Sequence, residues 1–193
     1  SVFARAAAAG IDPVEHMYDL LLEDDGRAFY ALFGSNFVNG TLDVCREMLL
    51  DPNTMPGLGD GGAHVSIISD ASYCTYLLSH WGRDRASGRI AVEELVRKQT
   101  SFNAHAMGLL DRGVLAPGLK ADINVIDFGQ LRVEAPTMAH DLPSGGRRLL
   151  QGARGYVATT VSGEVTYRDG QPTAALPGRL VRVKADPRPA PRP

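Results

Sequence analysis

The chain has 193 residues, 44% hydrophobic and 22% charged, enough to bury a core in one domain or two small ones. A formal net charge of -2 and a pI near 6.2, with no clustering of basic residues among aromatics, argue against nucleic acid or an anionic lipid surface as a partner. No apolar run approaches the ~18 residues of a membrane span, and the N-terminus lacks the layout of a signal peptide. Cys45 and Cys74 are isolated, with neither metal nor disulfide spacing, so the expectation is a cytoplasmic protein with two buried free thiols.

The sequence opens inside an alanine-rich run, Ser1 to Gly10, and reads as a piece of something larger. Asp12-Pro13-Val14-Glu15 carries the signals of a helix start: a capping Asp, Pro at the first helical position and Glu at the third. That helix is expected to run to about Glu23, where Asp24-Asp25-Gly26 breaks it. Ala28 to Phe33 then reads as a short buried strand, ended by Gly34-Ser35-Asn36. Thr41 can cap a second helix with Leu42, Cys45, Met48 and Leu49 on one face and Asp43, Arg46 and Glu47 toward water, stopped by Asp51-Pro52-Asn53.

An apolar segment ending at Asp60 follows, then a helix from about Ala71 to Trp81, then a helical stretch from Val92 to Gly108 broken near Ser101 to Asn103. Alternating strands and helices of this kind predict a parallel sheet with helices packed over it. Beyond Leu110 short strands alternate with turns: Ala121 to Asp127, Tyr156 to Val161 and Glu164 to Arg168. Ser162-Gly163 joins the last two as a hairpin. The fold class expected is therefore α/β followed by β, in three parts: residues 1–110, 111–183, and a Pro/Arg-rich tail at 184–193. The tail cannot bury apolar area and reads as solvated and extended.

The stretch from Thr54 to His64, T-M-P-G-L-G-D-G-G-A-H, sets one carboxylate among glycines. If the apolar segment before it is a strand, Asp60 stands at the strand's C-terminal end, where α/β barrels collect their chemistry. Asp-Gly is also a common turn dipeptide, and from the residues alone both readings stand. His64, four residues on, could contact a metal, contact substrate or serve the backbone. Gly61 and Gly62 read as letting the backbone pass close to a site, since no lysine follows in a phosphate-loop pattern. Arg83 and Arg85 read as charges complementing a helix terminus, with capture of a substrate carboxylate as the other reading. His16, His80, His105 and His140 are scattered and read as structural or exposed.

The run from Gly108 to Asp127, G-L-L-D-R-G-V-L-A-P-G-L-K-A-D-I-N-V-I-D, resembles the segment by which amidohydrolase-superfamily enzymes pass from a metal-bearing barrel into a β-sandwich. Tyr156 to Gly170 and Pro177-Gly178-Arg179 look like the closing part of that sandwich. The whole pattern, all but the tail, is most similar to the N-acyl-D-amino-acid deacylase group, amidohydrolase family 3.

The resemblance implies the last strands and helices of a TIM-like barrel followed by part of a small β-sandwich. Phe29 to Phe33 would be the seventh barrel strand and Met55 to Gly59 the eighth. It implies a divalent metal, zinc by expectation, which lowers the pKa of bound water. It would make Asp60 both metal ligand and proton acceptor; Gly61, Gly62 and His64 stand beside it as candidate substrate-side residues from their position alone, since the family motif demands no ligand at His64.

Two departures limit the inheritance. The paired histidines and mid-barrel ligands of the superfamily have no counterpart in this sequence. Ser66 to Tyr73 also holds no arginine where family 3 deacylases tend to carry a His-Pro-Arg segment to clamp a carboxylate. The expected function is hydrolysis of a C–N bond of a small amide by a larger parent, with this chain inactive alone. Its partners would be a missing N-terminal portion or a second copy. The alternative is a binding or interaction module that has kept the scaffold and lost the chemistry.

Overall fold

The computed structural model describes residues 1–33, 35–60, 66–67 and 70–182. The chain divides into two compact units, Ser1–Cys45 and the remainder from Arg46.

In the first unit, local capping accounts for the helices. Helix α1 (Val2–Ala9) begins where Ser1 Oγ accepts a hydrogen bond from the Ala4 amide at 3.2 Å and ends at Gly10, whose φ of 69° closes the last turn. Helix α2 (Pro13–Leu22) begins with Asp12 Oδ1 accepting from the amides of Val14 (2.9 Å) and Glu15 (3.1 Å). Its end is the expected break, in which Asp24, Asp25 and Gly26 all take positive φ and Arg27 pairs with both aspartates. The Tyr30 hydroxyl then donates to the Leu20 carbonyl at 2.7 Å, drawing the following segment back onto α2.

Helix α3 (Asp43–Leu50) starts where Thr41 Oγ1 accepts from the Asp43 amide (3.4 Å) and stops where Asp51 Oδ1 accepts from the Asn53 amide (2.7 Å). Arg46, expected to face water, instead donates from Nε to the Gly88 carbonyl at 2.8 Å.

Two longer helical runs follow, and both widen part of the way along. The first comprises a 3-10 turn (Asp70–Ser72), α4 (Tyr73–Tyr76) and a π-helical stretch Leu77–Asp84. The second comprises α5 (Val92–Arg97), a π-helical stretch Lys98–Phe102 and α6 (Asn103–Ala106). In each, a hydroxyl bonds back to the carbonyl four residues earlier: Ser79 to Thr75 at 3.0 Å and Thr100 to Val96 at 2.7 Å. Such back-bonding competes with the regular helical ladder, in keeping with the widening. The runs meet at Gly82, where an added Cβ would lie 3.2 Å from Val92 Cγ2 and 3.4 Å from Leu95 Cδ1. Leu77, Leu78, Trp81, Ile90, Leu95, Ala104 and Leu131 are the buried apolar residues among the described residues of this unit.

The strands are antiparallel throughout the described residues. β1 (Ile123–Ile126), β6 (Tyr156–Val161), β7 (Glu164–Arg168) and β8 (Gln171–Pro172) form one sheet in that order. Val161 pairs with Glu164 across the expected two-residue turn, in which Ser162 (φ 55°) and Gly163 (φ 83°) both take the left-handed conformation of a type I′ hairpin. Two ribbons complete the set: β2 (Arg132–Val133) with β5 (Ala153–Arg154), and β3 (Thr137–Leu142) with β4 (Gly146–Leu150). The helical runs join the strands through hydrogen bonds between Thr75 Oγ1 and the Tyr156 hydroxyl (2.8 Å) and from Ser72 Oγ to Gln151 Oε1 (2.5 Å).

Several expectations are corrected. Neither Phe29–Phe33 nor Met55–Gly59 is a strand, and no parallel pair occurs among the described residues. In Met55–Gly59, Pro56 lacks a donor and Leu58 takes a φ of 55°, outside the β region. In the other segment, Phe29, Leu32 and Phe33 keep 52%, 97% and 69% of their surface exposed, so the apolar run that suggested a buried strand is not buried. Cys74, expected to be buried, is exposed, and Cys45 is half-buried. The Pro/Arg-rich tail expected at 184–193 lies outside the described residues.

Candidate functional site

Asp60 ends an irregular segment that is held from several sides. Asp51 and Thr54 offer their carbonyls to the ammonium of Lys98, at 2.5 and 2.9 Å, and Pro56 offers its carbonyl to Asn103 Nδ2 at 2.8 Å. Thr54 Oγ1 donates to the Met48 carbonyl, which ties the segment to the end of α3. At Gly59 the backbone presses on the first helical run: an added Cβ would lie 2.5 Å from Ala71 Cα and 3.1 Å from the Asp70 carbonyl oxygen. Only glycine fits such an approach.

Asp60 itself is exposed and sits at φ 47°, in the left-handed region that aspartate tolerates better than most residues. The structure thus puts the one described site carboxylate at the surface end of an anchored loop rather than at a strand terminus. Gly61, Gly62 and His64 lie outside the described residues.

No group of three or more His, Cys, Asp or Glu side chains placed to hold a metal ion occurs among the described residues. One carboxylate does not fit the three or more protein ligands of a catalytic zinc site. These residues do not by themselves make up a metal centre.

Arg83 turns out to be engaged rather than free for a substrate. Its guanidinium donates to the carbonyls of Phe128, Gly129 (3.2 Å) and Leu131 (2.6 Å), pairs with Asp84 at 2.6 Å, and lies 5.6 Å from the Phe128 ring centroid. The pairing holds the Asp84 carboxyl below its usual range. Arg85 donates to the Ser87 carbonyl at 2.9 Å and stacks 4.5 Å over Trp81. His80 stacks on Tyr76 at 4.6 Å, and burial together with the nearby Arg85 charge lowers its pKa. Burial and the Cys74 thiol push Tyr73 up to about 12.

The Gly108–Asp127 segment is also built for structure. Asp122 accepts from the Lys120 ammonium (2.6 Å) and from the Ser162 amide (2.9 Å), so it links the entry to β1 with the β6–β7 turn. An open cleft of about 400 Å³ lies between Phe102, His105, Leu110 and Arg112, but its two arginines are already paired, Arg97 with Glu94 and Arg112 with Asp111.

Sequence reasoning passed over Lys98 and Asn103. The available signal was the place of Lys98 three residues after Leu95, on the buried face of an amphipathic stretch, where it is 2% exposed.

A family model described as Amidohydrolase family matches residues 3–167. No curated protein and no solved structure gives a significant match.

Proposed function

Since the chain belongs to the amidohydrolase family, we propose that it is part of a metal-dependent hydrolase that cleaves the C–N bond of a small amide, with Asp60 as the carboxylate that takes and returns the proton. The family match across most of the chain is the observation that carries this reading, and family membership supports hydrolase function in general. Members of the family typically bind divalent metals. Zinc is the ion proposed for the parent, with ligands beyond the single carboxylate described here. The anchored backbone and exposed carboxylate at Asp60 support its assignment, because chemistry-bearing residues are commonly held on loops positioned by a rigid scaffold.

Within the family the N-acyl-D-amino-acid deacylases are the group proposed as most similar, although Arg83, the arginine nearest in sequence to the vacant clamp position, is committed to backbone carbonyls. An amide without a free carboxylate is therefore the substrate class favoured. The protein is proposed to be cytoplasmic; no helix among the described residues is long and apolar enough to cross a membrane. The chain alone is proposed to be inactive, with the remaining site residues supplied by a further N-terminal portion or a second copy.

The test is Asp60→Asn in the catalytically competent protein. Loss of turnover by about 10³-fold or more with an unchanged unfolding midpoint is expected for a group that moves the proton. Unaffected turnover would remove Asp60 from the mechanism, whereas a complete assembly that hydrolyses no amide would favour the binding-module reading.

A further inference from the structure

We propose that Lys98 and Asn103 form a clamp that sets the position of Asp60, acting as positioning residues for the reaction; this rests on the reading of Asp60 given above. Lys98 is 2% exposed, and its ammonium donates to two main-chain carbonyls, Asp51 at 2.5 Å and Thr54 at 2.9 Å. The Phe102 ring covers it, with the centroid 5.3 Å from Nζ. A buried ammonium is costly unless its hydrogen bonds are made, so a lysine here holds its acceptors more firmly than a neutral donor would. Asn103 adds the Pro56 carbonyl at 2.8 Å.

The carbonyls of residues 51, 54 and 56 are thus taken by two side chains from one helical run. Gly59, pressed on Ala71, fixes the next point along the chain, and Asp60 follows directly. Both ends of the approach to Asp60 are tied to helices, and Leu58 takes up the turn between them at φ 55°.

The π-helical stretch Lys98–Phe102 explains how one helical run can reach all three carbonyls. In an α-helix, residues five apart are rotated by about 140° from each other. The i→i+5 register of a π-turn brings them toward one face, and Lys98 and Asn103 are spaced so. Such widened turns recur at functional sites. Lys98 is too buried to meet a substrate, so its effect on the reaction would pass through the backbone it holds.

The experiment uses Lys98→Met and Asn103→Asp, each compared with Asp60→Asn in the catalytically competent protein, with two readouts. Amide hydrogen exchange over residues 54–60 is expected to quicken by about tenfold or more in both clamp variants while the Trp81 region stays protected. Turnover is expected to fall by about 10- to 100-fold with KM within about twofold, the signature of a displaced catalytic group rather than a lost binding contact.

Faster exchange at 54–60 with kcat unchanged, in a protein that Asp60→Asn inactivates, would overturn the positioning role. Unchanged exchange would overturn the clamp itself. If Asp60→Asn leaves turnover intact, the reading of Asp60 fails, and with it the catalytic part of the proposal, while exchange still reports on the clamp. Should Lys98→Met fail to fold, Asn103→Asp carries both readouts, since it keeps the side chain's shape and puts an ionised, acceptor-only carboxylate where the amide donor faced the Pro56 carbonyl.

Discussion

Replacing Arg83 with alanine removes the donors that serve the carbonyls of Phe128, Gly129 and Leu131, in the loop between β1 and β2. Leu131 is fully buried, so its region cannot readily turn to water for compensation. A hydrogen bond from a charged donor contributes about 1.5–3 kcal/mol, and with the Arg83 side chain 26% exposed the lower end applies to the bonds at Phe128 and Leu131. The guanidinium over Phe128 adds about 0.5 kcal/mol at such a site. The sum is about 3.5 kcal/mol. With a urea m-value of about 2 kcal/mol/M, the midpoint should fall by about 1.75 M.

The assay is urea unfolding followed by fluorescence of Trp81, the single tryptophan, which lies two residues from Arg83 and is 2% exposed. Arg83→Lys should recover less than half of the loss, because a point charge cannot reproduce a planar fork spread over several carbonyls. Asp84→Ala, which removes a half-exposed partner, should cost under about 1 kcal/mol. A midpoint shift below about 0.3 M for Arg83→Ala would refute the reasoning and return Arg83 to the role of a surface charge.

Two further outcomes are expected. Burial pushes the Asp122 carboxyl up, but the Lys120 ammonium, the Ser162 amide and Arg112 together outweigh it and hold its pKa below the ordinary value. Because its folded pKa is depressed, Asp122 contributes stability that is present above about pH 4 and is lost as pH falls through the folded value; Asp122→Asn should flatten that acid limb in unfolding midpoints taken between about pH 2 and 5. Gly155→Ala should destabilise by about 2–4 kcal/mol in the same urea assay, since the added Cβ would lie 2.6 Å from Leu131 Cα on a backbone at φ 95°.

Much of the helical structure was legible because its causes are local. Asp12, Pro13 and Glu15 specify the start of α2, and Asp24-Asp25-Gly26 its end, through contacts three or fewer residues long. The β6–β7 hairpin was legible for the same reason, its turn being two residues that accept positive φ. The two segments read as barrel strands were not. Their apolar content was real, but a strand is defined by its neighbours, and neither finds a ladder among the described residues. Of the candidate site, Asp60 is a candidate from its glycine-flanked motif taken together with the family resemblance, whereas no motif in the sequence marks the side chains that hold its loop.

The sequence by itself determined where most helices begin and end, the closing hairpin, and membership of the family through the order of its residues. The tertiary structure decided what Lys98, Asn103 and Arg83 do. The main-chain carbonyls they hold lie between 44 and 48 residues away in the chain, and a carbonyl is a group that every residue type carries and no sequence pattern marks. A donor's fate in such cases is set by which carbonyls folding brings within hydrogen-bonding distance, and that depends on the packing of whole helices rather than on neighbours along the chain.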